Sequence, residues 1–293
     1  RRGHTLIACD SAELDITDGA AVAAAFARYR PSLVINAAAY TAVDKAESEE
    51  AKAHVVNALG VQHLARAALA SNCPVFHIST DYVFDGTKQG PYTEEDEPNP
   101  TSVYGRSKLE GEELLRQTLP AHRILRVSWV FGRYGNNFVK TMLRLGRERD
   151  VLKIVHDQYG APTSAAAIAR FLLDWAAPFV HGPVKTAEAG VALEAGPATM
   201  TGTQAMADQA QWGTYHFESN PGVSWYEFAV EIFAQAHALG LVQKVPQLVP
   251  ITSAEFPTPV KRPANSKLAS VRLPDPGQLG DWKAHLNDML RAL

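Results

Sequence analysis

The chain is short of cysteine. It has two in 293 residues, Cys9 and Cys73. That is too few for a disulfide framework, and neither lies in a metal-ligand spacing. Both read as reduced, buried thiols. An excess of charge of one sign is also missing. Lys and Arg number 28 against 31 Asp and Glu, a net charge of −3, which argues against nucleic acid or an anionic membrane surface as partner. No apolar run is long enough to cross a bilayer as a helix. The opening Arg1-Arg2-Gly3-His4 starts no signal-peptide pattern, so the expected setting is cytoplasmic. Internal repeats and coiled-coil heptads are absent too. What is there is a core-forming composition, 46% hydrophobic and 20% charged. It suits one large domain, or a domain with a smaller companion.

Short apolar segments alternate with helical patterns. Residues 5–9 (TLIAC), 32–35 (SLVI), 75–79 (VFHIS) and 123–130 (RILRVSWV) read as strands. Residues 20–29, 49–71 and 107–117 read as helices. The pattern predicts an α/β fold with a doubly wound parallel sheet covered on both faces. In such sheets ligands bind beyond the C-terminal strand ends. Asp10, Asn36 to Thr41, Ser79 to Asp81 and Trp129 fall at or just past such ends. Beyond about residue 150 the alternation weakens, which places a dinucleotide-binding domain at 1–150 and a smaller α+β substrate domain at 151–293. Residues 181–211, rich in Ala, Gly and Thr, read as an insertion. Residues 214–219 read as one more strand, returning to the first domain's sheet, and 226–238 as an amphipathic helix.

Tyr104-Gly105-Arg106-Ser107-Lys108 carries the chemistry. On a helix, i and i+4 share a face, so a phenol and an ammonium point into one space. A nearby ammonium favours the phenolate and lowers the phenol's pKa, which suits a general acid or base. Thr80 offers a hydroxyl to a substrate oxygen and the phenol together, or caps a strand end. Asp10 binds adenosine ribose hydroxyls or closes a turn. Asn36-Ala37-Ala38-Ala39 lets a cofactor approach the backbone closely or packs a helix on the sheet. The acidic run Glu94-Glu95-Asp96-Glu97 reads as a solvated loop.

The stretches NAAAYTAVDKAE (36–47), STDYVFDG (79–86), VYGRSKLEGE (103–112), RVSWVFG (126–132), GNNFVKTML (135–143), DQYGAPT (157–163) and PTPVKRPANSKL (257–268) resemble the dTDP-4-dehydrorhamnose reductases. These are Rossmann-like enzymes of the extended short-chain dehydrogenase/reductase class. The resemblance implies reduction of a 4-keto dTDP-sugar by NADPH or NADH. It implies Tyr104, Lys108 and Thr80 as catalytic residues. It puts Asp10, Asp15, Ile16, Ala39, Tyr40, Thr41 and Ile78 on the cofactor, and Asp81, Trp129, Arg262, Asn265 and Ser266 with Thr80 on the substrate. An arginine suits a diphosphate. Mg2+ enters by resemblance only, and a homodimer is compatible with it. Two alternatives stay open: a sugar-nucleotide epimerase or dehydratase of the same superfamily, and a non-catalytic regulatory subunit of the methionine adenosyltransferase type.

One departure stands out. The family opens with a strand and a G-x-x-G-x-x-G turn whose N–H groups hold the pyrophosphate. That motif does not occur here. The expectation is therefore that these 293 residues are part of a longer chain, with the strand and glycine loop ahead of Arg1.

Overall fold

The computed structural model describes residues 5–180, 212–273 and 280–293. The expected insertion at 181–211 lies outside them. Four parallel strands form the main sheet: β1 (Val34–Asn36), β2 (Val75–Thr80), β3 (His122–Val127) and, later in the chain, β8 (Gly213–Phe217), in the order β1-β2-β3-β8. Register is set by Val34 opposite Val75, Thr80 opposite Val127 and Val127 opposite Phe217.

Helices cover both faces. On one lie α1 (Gly19–Tyr29), α4 (Gly60–Ala70) and α5 (Val103–Thr118). They bury Val22, Phe26, Val61, Leu64 and Leu115 against Val75 and Ile124. On the other, α7 (Ala165–Ala176) packs Ile168 and Leu172 on Phe76, Leu125, Val127 and Phe217. Strand residues alternate between the two clusters, Val75 and Ile124 in one, Phe76 and Leu125 in the other, as a period of two requires.

The predicted helix at 49–71 is a composite. α3 (Glu50–His54) passes through a π-helical turn (Val55–Leu59) into α4. Asn57 sits in that turn and bonds outside its own helix, as described below. Short helix α2 (Val43–Ala46) precedes α3.

A third apolar cluster gathers the later elements: α6 (Phe138–Glu148), β5 (Val151–Val155), α8 (Trp225–Ala238), β10 (Gln247–Ile251) and α9 (Trp282–Arg291). Met142, Leu152, Phe228, Ile232, Trp282 and Leu286 are buried in it. β10 pairs in parallel with β5. Two small pairs join the layers, β4 (Val130–Phe131) with β7 (Thr163–Ser164) and β6 (Tyr159–Gly160) with β9 (Val223–Ser224). Among the described residues no helix is long and apolar enough to cross a membrane.

Three expectations need correction. Residues 5–9 form no strand, and Leu6 is 80% exposed. A strand needs a ladder partner, and among the described residues β1 pairs only with β2. Cys9 is exposed rather than buried, for the same reason. Cys73 is buried, and burial pushes its thiol up to about 12. The acidic run is not merely solvated: Glu94 accepts from the backbone N–H of His216 (2.8 Å) and of Val271 (2.9 Å) and so ties β8 to the C-terminal segment.

Candidate active site

Ser102 starts the helix that matters. Its hydroxyl caps α5 by accepting from Gly105 N–H at 3.0 Å, a favourable N-cap. Tyr104 thereby falls in the first turn, and Tyr104, Lys108 and Glu112 stack along one face at steps of four. All three are buried. The helix lies flush on its neighbours at two glycines. A Cβ on Gly105 would fall well under 3.0 Å from the Tyr82 carbonyl oxygen, and one on Gly111 well under 3.0 Å from that of Asn57.

The strand β2 presents a matching row. Residues at steps of two, His77 and Ser79, face helix residues at steps of four, Lys108 and Glu112. Lys108 Nζ donates to the Ile78 carbonyl at 2.8 Å and lies 3.3 Å from His77 Nε2. Ser79 donates to Glu112 Oε1 at 2.5 Å, and Arg126 donates to both Glu112 oxygens at 3.0 and 2.7 Å. Arg116 also reaches Glu112. Burial pushes the Glu112 carboxyl up, but the two guanidiniums and Ser79 outweigh it and hold it below its ordinary value. Glu112 in turn acts to keep Lys108 charged, against burial, which lowers the ammonium to about 8.

Thr80 ends β2. Its hydroxyl donates to Asp81 Oδ1 at 3.0 Å, accepts from Tyr82 N–H at 3.2 Å, and lies beside the Tyr104 phenol. The Tyr104 phenol is raised above its ordinary value by burial, with Thr80 acting against the rise and Asp81 and Tyr82 adding to it. The lowering expected from Lys108 is not seen. The lysine nitrogen is turned to Ile78 and His77 instead, and desolvation of the phenolate dominates. At neutral pH the phenol keeps its proton and is a donor.

Tyr82, whose ring packs edge-on against Tyr104, lines a cavity of about 170 Å³. Of the expected substrate residues, Asp81, Trp129, Arg262 and Ser266 line it. Burial raises Asp81 to about 6, opposed by hydrogen bonds from Ser266 and Thr80. Asp81 Oδ2 is buried and has no hydrogen-bond partner among the described residues. Arg262 pairs with Asp44 at 2.9 Å. Asn265 does not line the cavity. Its amide donates to the carbonyls of Lys88 and Gly90, both at 2.8 Å, and so holds the loop that carries Arg262 and Ser266.

The expected cofactor residues form a looser set. Ala39, Tyr40 and Thr41 follow β1, with Ala37 and Ala38 exposed at its end. Asn57 accepts from Tyr40 N–H (2.8 Å) and donates to the Tyr40 carbonyl (3.1 Å) and to Ser107 Oγ (3.0 Å), which pins this loop to α5. Ile78 contributes its carbonyl to Lys108. Ile16 is buried beside Gly60 in the core. Asp10 and Asp15 are exposed and bond only their own turns, Asp10 to the N–H groups of Ala12 and Glu13 and Asp15 to Thr17. Among the described residues no hydrogen bond or ion pair joins them to the Tyr104 group.

Several site residues escaped the sequence reading. Tyr82, Gln158 and Trp225 also line the cavity. Trp129 and Trp225 stack face to face, 3.5 Å between centroids and 8° between planes. Nothing local marks Trp225. The row His77, Ser79, Glu112 and Arg126 escaped it too, and polar residues at strand and helix spacings inside otherwise apolar segments are the signal that could have pointed to it. Among the described residues no three His, Cys, Asp or Glu side chains gather as metal ligands.

The sequence profile described as "RmlD substrate binding domain" matches residues 1–191 and 195–293. A dTDP-4-dehydrorhamnose reductase of Aggregatibacter actinomycetemcomitans is 43% identical over 288 residues, 98% of this chain and 90% of that relative. A dTDP-4-dehydrorhamnose reductase crystal structure from Clostridium acetobutylicum superposes with a TM-score of 0.81 at 38% identity, covering 98% of this chain and 89% of that one. One from Bacillus anthracis, in complex with NADP, gives 0.81 at 32% identity, with 97% and 89% covered.

Proposed function

We infer the activity from the family to which this chain belongs, the dTDP-4-dehydrorhamnose reductases with the RmlD substrate binding domain. The enzyme reduces dTDP-4-dehydro-6-deoxy-L-mannose (dTDP-4-dehydrorhamnose) to dTDP-L-rhamnose and oxidises NAD(P)H, the last step in making dTDP-rhamnose. The observation that carries the mechanism is the buried phenol of Tyr104, protonated at neutral pH and set beside Thr80 and beside Asp81 and Tyr82 of the cavity wall.

Tyr104 donates its proton to the 4-keto oxygen, and Thr80 orients that oxygen by turning to it the hydroxyl proton that Asp81 accepts in the free protein. The product is a secondary alcohol. NAD(P)H, when bound, supplies the hydride. The residues present fit its nicotinamide end: small exposed side chains at Ala37 and Ala38, and a buried ammonium with donors to spare at Lys108. Lys108, Ile78, the loop Ala39 to Thr41, and Asp10, Asp15 and Ile16 would hold it. Lys108 stabilises the tyrosinate left after proton transfer. Asp81, Trp129, Arg262 and Ser266 hold the sugar nucleotide, with Asn265 supporting their loop. No step is assigned to a metal.

The dinucleotide-binding part takes in residues 1–150 with β8 and α7, which packs on its sheet, and the substrate-binding part is built from the rest of 151–293, with α6 packed against it. The setting is cytoplasmic, where nucleotide sugars and NAD(P)H are pooled, and the substrate site is compatible with a homodimer, which sedimentation would test. The test of activity is purified protein with the 4-keto dTDP-sugar and either NADH or NADPH. The expected result is one dinucleotide oxidised per sugar reduced. An epimerase or dehydratase recycles its dinucleotide and would give no net oxidation, and a regulatory binding protein would give none.

A further inference from the structure

Asn36, His77 and Lys108 form a line of side chains from the end of β1, through β2, to α5. Asn36 Nδ2 lies 3.0 Å from His77 Nδ1, and His77 Nε2 lies 3.3 Å from Lys108 Nζ. All three residues are buried.

The line has a direction. Ala38 N–H donates to Asn36 Oδ1 at 3.0 Å. That commits the amide oxygen and turns the NH2 toward the ring; the reverse setting would press an NH2 against an N–H. An amide nitrogen only donates, so His77 Nδ1 accepts and a neutral imidazole carries its proton on Nε2. That proton points at Lys108. A neutral amine accepts it, whereas an ammonium has no lone pair to do so. The hydrogen-bond count therefore opposes the charged form of the lysine on which the proposed reaction depends.

We propose that Asn36 and His77 form a tautomer lock on Lys108: Asn36 fixes the imidazole as Nε2–H, and that N–H, aimed at Nζ, sets how readily the lysine gives up its charge. Both are positioning residues that act through Lys108. The lock also reaches the cofactor loop. If Lys108 is charged and the ring is driven to the other tautomer, Nδ1–H meets the Asn36 NH2, and the Asn36–Ala38 turn ahead of Ala39, Tyr40 and Thr41 must give.

The surroundings agree. Burial first, and the Lys108 charge second, hold the His77 imidazole well below its ordinary value, so the ring is neutral. The titratable groups facing Lys108 are His77 from β2 and, a turn away to either side on its own helix, Tyr104 and Glu112. Of these, Glu112 favours the ammonium, and burial opposes it. An acceptor at Nε2 would side with Glu112; the donor that Asn36 imposes sides with burial.

The functional meaning of the lock rests on the proposed reaction, but the lock itself is measured without it. Imidazole 15N shifts distinguish the two tautomers. The chain has 10 histidines, and the spectrum of His77→Gln identifies the signals of His77. In the wild-type protein without cofactor, His77 is expected as Nε2–H and not titrating across the neutral range. Asn36→Asp is close to isosteric and still accepts from Ala38, but it also accepts from Nδ1–H. It should switch the ring to Nδ1–H and turn Nε2 into an acceptor. The Lys108 15Nζ midpoint, expected near 8 in the wild type, should then rise by at least ~1 pH unit, and the alkaline limb of kcat should move with it.

An Nδ1–H tautomer in the wild type overturns the proposal, whether or not the Asp variant folds. So does a switched ring that leaves the Lys108 midpoint in place. Absence of NAD(P)H oxidation would sink the reaction and leave both spectra as expected.

Discussion

Replacing Arg126 with methionine removes the cation that neutralises Glu112 between the sheet and α5. Glu112 is fully buried and takes two bonds from Arg126. After the change Glu112 keeps the neutral Ser79 donor and the guanidinium of Arg116, whose side chain is 34% exposed. Breaking one half of a buried pair costs roughly 3–5 kcal/mol, because the other charge is stranded. A chain of this size loses roughly 2–4 °C per kcal/mol, so Tm should fall by on the order of 10 °C. The pH dependence has a definite sign. In the wild type Glu112 is lowered, so its contribution is present above the unfolded carboxyl value and lost as pH falls through the lower folded value. In Arg126→Met the carboxyl is raised, so its penalty is present at neutral pH and relieved as pH falls. The gap between the two proteins should be widest near neutrality and narrow in acid. The double variant Glu112→Leu with Arg126→Met swaps the pair for apolar groups and should recover most of the loss. Thermal melts of wild type, both single variants and the double variant, in acid and at neutral pH, measure all of this. A single variant within ~1 kcal/mol of wild type at neutral pH, or a double variant as unstable as the two singles combined, would refute the reasoning.

Two further outcomes follow from the same geometry. Asp81 is raised from 3.8 to about 6, so the folded state disfavours its ionised form, and stability falls as pH rises from 3.8 through about 6. Asp81→Asn should therefore stabilise the protein at neutral pH by up to ~3 kcal/mol, and hardly at all in acid, while raising KM for the sugar nucleotide; melts and initial rates would check it. Gly111→Ala gains roughly 1 kcal/mol of helix propensity but drives a methyl into the Asn57 carbonyl, a clash of about 1–3 kcal/mol or more. Moving α5 by even ~1 Å should cut kcat by on the order of 100-fold, against a neutral result for Gly90→Ala, where a Cβ meets nothing.

The sequence disclosed the parts of the fold that rest on local pattern. The strand at 75–79, the helix carrying Tyr104 and the first part of the strand expected at 123–130 have periodicity, caps and apolar content that agree with the fold; the last stops at Val127, because Trp129 turns the chain with a φ of 44° and Val130 opens a separate short strand. The segment at 5–9 misled because an apolar run says nothing about whether a neighbour exists to pair with. The helix at 49–71 concealed its π turn, because the bonds that reward it, Asn57 to Tyr40 and Ser107, span distant elements. Tyr104, Lys108 and Thr80 could be read from spacing and resemblance. The groups that govern them could not: burial raises the Tyr104 phenol, and His77 meets Lys108, only once β2 lies beneath α5. Trp225 joins the cavity from more than 90 residues beyond Trp129 through a ring stack that no sequence spacing encodes.

Tyr104→Phe tests the central claim most directly, since it removes one oxygen and leaves the packing with Tyr82 in place. With the 4-keto dTDP-sugar and NADPH or NADH, the account predicts a kcat loss of at least ~100-fold, as for a lost general acid, with an unchanged melting profile and little change in dinucleotide binding. A variant that turns over within a few-fold of wild type would contradict it.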